Sequence, residues 1–296
     1  MNILLHTMAT PDLDPSAALD LARKLDFDGV DLITQQGYRC ALDPAASIDD
    51  AKALRRASDE KGVPIRSLTP YLKHLNATDG QLRQTTIDAF KKAIEHATVL
   101  GASSVRVLAG SDVPDSEWSS SVAILVDALG SLGDFAASHG TYLNIENHDG
   151  TLADDAKRTD AIWRAINHAH VGIIYDPANL IRDGKEGFPE NLEIQAGGTR
   201  VVHVKDYIFD VGFPSGRCAR AIGDGVIPWK AMLSGLDALG FSGDLSIEYE
   251  TRWVPEQLPE PSIGLKRSIE HLRSLLAALP AAGKSAAASR QDSRRS

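Results

Sequence analysis

Cysteine and long apolar runs are scarce in this 296-residue chain. The two cysteines, Cys40 and Cys218, form neither a disulfide framework nor a CxxC metal pair, so both are interpreted as free thiols. No unbroken run of roughly 18 apolar residues is present, so we expect no membrane partner. The opening stretch MNILLHTMATPD lacks a basic start and its apolar part is brief. It resembles a first strand more than a signal peptide, and a cytoplasmic location is predicted.

Positive charge is also limited. The chain has 31 Lys and Arg residues against 40 Asp and Glu residues, and its formal net charge is −9. Proteins that bind nucleic acids usually present a basic stripe that neutralises phosphates, whereas the basic residues here are scattered among more numerous acids. We therefore expect neither DNA nor RNA to be the main ligand.

Short apolar or β-branched segments recur along the chain and alternate with segments of helical spacing. The apolar segments are residues 3–7, 29–33, 65–71, 104–109, 142–147, 171–176, 200–206 and 244–249. This alternation predicts a parallel sheet, because each crossover returns over the sheet with its helix outside. Eight such units at this length predict an α/β protein with one (β/α)8 TIM-barrel domain over residues 1–280.

Two points qualify this fold prediction. A doubly wound open sheet is the alternative, but no GxGxxG follows the first strand to support nucleotide binding there. The last segment, residues 281–296, is rich in small and polar residues and basic at its end. It is predicted to be a disordered tail.

The fifth to eighth predicted strands each carry an acid or a histidine near their C-terminal end. In order, these are Glu146 in IENH, Asp176 in DPAN, His203 in HVKD and Glu248 in SIEYE. Active sites of barrels lie at this end of the strands, so we expect the four side chains to converge. Converging carboxylates repel one another in a dry pocket, and a divalent cation removes that cost. Three carboxylates and one imidazole suit Mn²⁺, Co²⁺, Mg²⁺ or Zn²⁺.

Each of these residues also has a purely structural interpretation. Asp176 could cap the next helix, and His203 could be a hydrogen-bonded core residue. Glu248 could pair with Lys205 in a buried ion pair. Two more polar residues are expected to have no chemical role: His6 in packing or solvent contact, and Asp206 in capping or pairing within the following loop.

The motifs IENH, DPAN, HVKD and SIEYE, with GDGVIPWKAMLSGLDALGFSGDLSIEYE near the end, resemble the xylose isomerase-like TIM-barrel superfamily, in its sugar phosphate isomerase/epimerase branch. The resemblance covers most of the chain. It implies a metal held by Glu146, Asp176, His203 and Glu248. It also implies that Glu146 and Glu248 act as the acid/base pair from opposite faces of the substrate, and that IGDGVIPW shapes the substrate pocket.

The activity implied is that of a divalent-metal-dependent isomerase or epimerase. Its substrate would be a small sugar, a sugar phosphate or a related keto-polyol, and protons would move through a metal-stabilised enediolate. The residues expected to contact the substrate are His148, Lys205, Asn179 and Arg217. Asn179 stands where several members of the superfamily have a histidine, which counts against the endonuclease IV relatives and their trinuclear zinc cluster.

Two other functions stay open at this point. One is a lyase that dehydrates an inosose or a dehydroshikimate-like ketone at the same metal site. The other is a non-catalytic barrel that binds a sugar without turnover. The resemblance further suggests a homodimer or homotetramer.

Overall fold

Eight parallel strands form a closed barrel at the centre of the protein, in a computed structural model that describes residues 1–213 and 215–280. This closure confirms the (β/α)8 TIM-barrel prediction and excludes the open sheet. The predicted tail at 281–296 lies outside the described residues. The barrel strands are β1 (Asn2–His6), β2 (Gly29–Thr34), β3 (Ile65–Pro70), β4 (Ser104–Leu108), β5 (Tyr142–Glu146), β6 (Val171–Tyr175), β7 (Thr199–Val204) and β10 (Asp244–Ile247).

Helices surround the barrel and return the chain from one strand to the next. They are α1 (Pro15–Lys24), α2 (Ile48–Lys61), α3 (Gly80–Leu100), α4 (Asp115–Ser138), α5 (Ala156–Ile166), α6 (Pro177–Arg182), α7 (Glu190–Gln195), α8 (Trp229–Ala238) and α9 (Pro261–Ala277). Local sequence fixes several of their ends. Ser47 and Asp50 form a reciprocal capping box at the start of α2, and Gly62 ends that helix in the left-handed conformation.

An antiparallel hairpin interrupts the alternation after β7. Its strands are β8 (Asp206–Phe209) and β9 (Arg217–Arg220), and strand–helix periodicity did not predict it. The carboxylate of Asp206 anchors the loop that follows, because it accepts hydrogen bonds from the backbone N–H groups of Gly223, Gly225 and Ile227. Asp206 therefore serves the structural role expected for it, and it positions the glycine-rich loop at the C-terminal end of the barrel.

The barrel interior contains buried polar side chains as well as aliphatic ones. Asp31 of β2 is fully buried, and it accepts hydrogen bonds from the Thr69 hydroxyl at 2.7 Å and from the Ser246 hydroxyl at 2.9 Å. These residues belong to three different strands, β2, β3 and β10, so the barrel interior contains a layer of hydrogen-bonded polar side chains.

Helix α4 is long and apolar enough, by length and composition alone, to cross a membrane. Serine and aspartate residues interrupt the apolar residues of α4, so the helix contains no unbroken apolar run of about 18 residues. In the structure α4 belongs to the outer layer of the barrel, and Leu125, Leu129 and Leu132 on one side of it are buried in the common hydrophobic core. Packing against the barrel accounts for its apolar side chains.

Candidate metal centre

The four residues predicted as metal ligands lie together at the C-terminal ends of neighbouring strands. Glu146 ends β5, Asp176 directly follows β6, His203 is the fifth residue of β7, and Glu248 directly follows β10. All four are buried, and none is more than 3% exposed. One potential ligand atom from each lies within 4.8 Å of those of the other three.

The Nδ1 atom of His203 marks the centre of this cluster. It lies 3.0 Å from Oε1 of Glu146 and 3.1 Å from Oε1 of Glu248. A ring nitrogen carries at most one hydrogen and can donate fully to only one of these oxygens. A cation between the three groups would satisfy both carboxylates and the nitrogen lone pair together. The residues present therefore fit a metal ion.

Charge balance leads to the same conclusion. The buried cluster contains four carboxylates, those of Asp31, Glu146, Asp176 and Glu248, and two permanent cations, Arg106 and Lys205. If the two buried histidines, His6 and His203, are neutral, two negative charges remain uncompensated in a water-poor environment. Buried charges are normally paired or coordinate metals. One divalent cation neutralises the cluster.

Asp176 uses its two oxygens for different purposes. Its Oδ1 accepts a hydrogen bond from the backbone N–H of Asn179 at 3.0 Å and so caps helix α6. Its Oδ2 lies 2.8 Å from Nζ of Lys205 and is the oxygen available to a metal. The capping interpretation and the ligand interpretation of this aspartate are thus compatible.

Two cations hold the glutamates in place. Lys205 is buried, and its Nζ lies 2.7 Å from Oε2 of Glu248. Arg106 of β4 is 2% exposed and donates from Nη1 to Oε2 of Glu146 at 2.9 Å. Its other terminal nitrogen donates to the Pro70 carbonyl at 3.0 Å. Each glutamate therefore keeps one oxygen on a cation and turns the other toward His203.

The electrostatics of the cluster keep the glutamates ionised. Burial alone would raise the pKa of Glu146, but the charges of His203 and Arg106 outweigh it and lower this pKa. Burial opposes protonation of His203, yet Glu248 and Glu146 raise its pKa well above the usual value. This shift favours the protonated form of His203 in the absence of a metal, and metal binding would displace that proton. For Asp176, burial dominates and the pKa is raised.

A cavity of about 380 Å³ opens above the cluster, and the predicted substrate-contacting residues lie on its wall. The wall includes all four of these, His148, Lys205, Asn179 and Arg217, together with the predicted acid/base residues Glu146 and Glu248. His148 is placed there by the loop after β5, because the strand ends at Glu146. The side-chain amide of Asn179 donates to the Asn147 carbonyl at 3.2 Å, so it also joins the loops after β5 and β6.

Sequence reasoning missed three polar residues near this site. Arg106 and Asp31 were not identified, and His6 was assigned to packing, whereas its Nε2 lies 3.7 Å from Oε1 of Glu248. The sequence does contain a signal for these three residues, because each is a polar residue within an apolar strand segment. The segments are SVRVL, GVDLIT and NILLH. The same anomaly identified His203.

Comparison with known proteins agrees with this geometry. The family described as Xylose isomerase-like TIM barrel matches residues 19–275, which is most of the chain. The chain belongs to the xylose isomerase-like TIM barrel family. The family and its structural neighbours include epimerases, isomerases and an inosose dehydratase. Two of the neighbouring structures contain a metal, zinc in one and magnesium in the other.

Relatives within and around the family differ in reaction. The inosose dehydratase of Geobacillus thermodenitrificans is 28% identical over 148 residues, which cover 46% of this chain and 48% of that protein, so the match spans about half of either. The 3-keto-D-glucoside 4-epimerase of E. coli superposes with a TM-score of 0.73 at 16% identity, covering 93% of this chain and 99% of that one. The IOLI protein with a bound zinc atom superposes with a TM-score of 0.75 at 20% identity, covering 95% of this chain and 100% of that one. At these identities the superpositions show the shared fold.

Proposed function

We propose that the protein is a divalent-metal-dependent isomerase or epimerase of a small sugar, a sugar phosphate or a related keto-polyol. The observation that carries this proposal is the convergence of Glu146, Asp176, His203 and Glu248, whose ligand atoms lie within 4.8 Å of one another below an open cavity. These residues would hold Mn²⁺, Co²⁺, Mg²⁺ or Zn²⁺. When bound, such an ion supplies a Lewis acid that polarises a carbonyl and favours loss of the proton on the adjacent carbon.

Glu146 and Glu248 are the proposed acid/base pair. They come from strands that are not adjacent in the barrel, and both line the cavity. Two carboxylates that reach a substrate from different sides can remove a proton from one face of a carbon and return a proton to the other face. Lys205, Asn179, His148 and Arg217 are proposed to contact oxygen atoms of the substrate.

A lyase is the second candidate, and the partial match to inosose dehydratase favours it. Dehydration begins with the same proton removal next to a carbonyl, but a β-hydroxyl then leaves instead of a proton returning. That leaving group needs a proton. The Lys205 ammonium lines the cavity beside Glu248 and could supply it.

Solvent exchange distinguishes these reactions. The Mn²⁺-loaded protein is incubated in deuterated water with ketoses, sugar phosphates and keto-polyols, and products are followed by NMR. Deuterium next to the carbonyl together with a stereoisomer or aldose–ketose isomer supports the isomerase or epimerase. An unsaturated, ultraviolet-absorbing product supports the lyase. A protein that binds no Mn²⁺ and exchanges no compound when Mn²⁺ is supplied would contradict both and favour a binding barrel.

The Glu248→Gln variant is the matched control for this experiment. It preserves the shape of the side chain and removes both the charge of a ligand and the proposed base. We expect exchange to fall by at least roughly a hundredfold, the usual size of a general acid/base contribution, in a barrel that remains folded by circular dichroism. Exchange near the unaltered rate would place the chemistry elsewhere.

A further inference from the structure

The cations that line the cavity fall into two groups. Arg106, Arg182 and Lys205 are each engaged with carboxylates, namely Glu146 for Arg106, Asp149 for Arg182, and Asp176 and Glu248 for Lys205. Lys73 and Arg217 also line the cavity, but their side-chain nitrogens form no ion pair or hydrogen bond with the described residues 1–213 and 215–280. Both side chains are half-buried. Cations kept without partners in a cavity wall are available to a ligand.

The contacts of these two cations show which parts of the protein they lie beside. The Lys73 ammonium extends toward the loop after β5 and lies 3.9 Å from the position that a Cβ would take on Gly150. The Arg217 guanidinium lies 5.6 Å from the centre of the Tyr207 ring, and the Tyr207 hydroxyl donates to the Ala178 carbonyl in α6 at 3.0 Å. Lys73 therefore borders the loop after β5, and Arg217 lies near Tyr207 of β8, whose hydroxyl contacts α6.

The rest of the wall has a different character. Met8 follows β1, Leu108 ends β4 and Trp253 lies in the loop after β10, and all three present apolar surface to the cavity. One carboxylate of the wall, Glu250, also lacks an ion-pair partner among the described residues, and its charge acts on Lys205 beside the metal centre. The unpaired cations thus outnumber the unpaired acids of the wall by two to one.

We propose that the substrate carries an anionic oxygen group, a carboxylate or a phosphate, which Lys73 and Arg217 bind while the ketone end lies at Glu146 and Glu248. Arginine binds both groups through two parallel hydrogen bonds, and lysine adds a mobile positive charge. A cavity of about 380 Å³ is of the size that holds a small molecule. This inference rests on the proposed function, since it names the substrate class of the same site.

Anion titration tests the subsite without relying on turnover. Inorganic phosphate and acetate are titrated calorimetrically into the Mn²⁺-loaded protein at constant ionic strength. We expect the double variant Lys73→Gln/Arg217→Gln to bind the preferred anion at least roughly tenfold more weakly than the unaltered protein, as the loss of charged hydrogen bonds predicts. Tighter binding of phosphate would identify sugar phosphates as substrates, and tighter binding of acetate would identify keto acids.

The control variant is Arg56→Gln/Lys230→Gln. It removes the same two charges from exposed positions outside the cavity wall, and it should bind both anions like the unaltered protein. Equal anion affinity in the double variant and the unaltered protein would overturn the proposal, because any bound anion would then lie on the metal alone. An equal loss in the control would overturn it too, since only net charge would matter.

Failure of this inference is distinguishable from failure of the proposed function. If a neutral ketose exchanges deuterium rapidly and the double variant leaves its KM unchanged while anions bind equally to both proteins, the subsite is wrong and the function stands. If anion binding depends on Lys73 and Arg217 but no ketone exchanges, the subsite stands and the function is wrong. For an anionic substrate, the double variant should raise KM more than it lowers kcat.

Discussion

His203 and Lys205 lie two residues apart and both contact Glu248, but they have different relations to the proposed metal. His203 offers a ring nitrogen as a ligand, whereas Lys205 offers only positive charge. We expect His203→Ala to weaken Mn²⁺ binding by more than the roughly 10- to 100-fold that follows loss of an outer-sphere partner, and Lys205→Ala to weaken it much less. Calorimetric titration of the two variants measures this. Equal Mn²⁺ affinities would contradict the assignment of His203.

Arg106 is the buried partner of Glu146, and its removal leaves that carboxylate without its cation. Breaking a buried ion pair by deleting one partner costs about 3 to 5 kcal/mol, so we expect Arg106→Gln to lower the metal-free free energy of unfolding by that amount. Urea unfolding monitored by circular dichroism provides the measurement. Added Mn²⁺ should recover part of the loss, because it restores positive charge beside Glu146.

An exposed ion pair provides the control for Arg106. Arg164 pairs with Asp160 one turn earlier on α5, and its side chain is largely exposed. Because water screens such pairs, Arg164→Gln should change stability little. If the two variants unfold at the same urea concentration, the charge of Arg106 is not essential to the buried cluster.

The convergence of the four proposed ligand residues was predictable from sequence, because each lies at or next to the C-terminal end of an apolar strand. Their partners were not. Whether Arg106 points into the barrel depends on strand register, and this barrel contains irregular pairings after Val30 and after Ile173. A shift of one residue reverses which side chains point inward. The sequence pattern therefore identifies polar residues in strands without deciding which of them meet.

At the level of elements, the hairpin of β8 and β9 carries Arg217 and depends on Asp206. The Asp206 carboxylate accepts backbone hydrogen bonds from Gly223, Gly225 and Ile227. In Asp206→Ala the buried N–H of Ile227 and the two partly exposed glycine N–H groups lose their acceptor, and we expect about 1 to 2 kcal/mol of destabilisation. Hydrogen exchange should accelerate first at those amides, while the strands of the barrel stay protected.

The opposite result is also informative. Uniform loss of protection over the whole barrel in Asp206→Ala would mean that the loop and the barrel unfold together, so Asp206 would stabilise more than the hairpin region. The Asp206→Asn variant retains one acceptor oxygen, and its exchange rates should lie between those of Asp206→Ala and the unaltered protein.

Element prediction succeeded where the chain alternates regularly and failed where it does not. All eight barrel strands begin and end within two residues of the predicted segments. The hairpin was missed because β8 directly follows the seventh barrel strand and is only four residues long. The crossover from β6 to β7 contains two short helices, α6 and α7, of six residues each, which are too brief to show a helical period.

At the scale of the whole molecule, the proposed metal joins four different strands, since its ligands belong to the ends of β5, β6, β7 and β10. A ligand that binds only the folded state stabilises it, by about 2.7 kcal/mol at a hundred times its Kd. We therefore expect a chelator to lower the Tm of the purified protein and Mn²⁺ to restore it. The Tm of the Glu248→Gln variant should change much less when chelator or Mn²⁺ is added. The same Mn²⁺ response in both proteins would place the binding site elsewhere.

Global stability should also depend on the ionisation of Glu186, which accepts a hydrogen bond from the Tyr175 hydroxyl at 3.1 Å. Burial raises the pKa of Glu186 to about 7, above its value in the unfolded chain. The folded state thus retains a proton that the unfolded state releases, so this group favours folding at low pH, and the contribution is lost as pH rises to about 7.

The Glu186→Gln variant should remove this pH-dependent loss of stability, because glutamine does not ionise. The free energy of unfolding of the variant should exceed that of the unaltered protein by a negligible amount near about pH 4. The difference should be on the order of 1 kcal/mol near about pH 8, after allowance for solvent screening. Urea unfolding of both proteins at the two pH values tests this, and an equal stability difference at both would show that folding does not raise the pKa of Glu186.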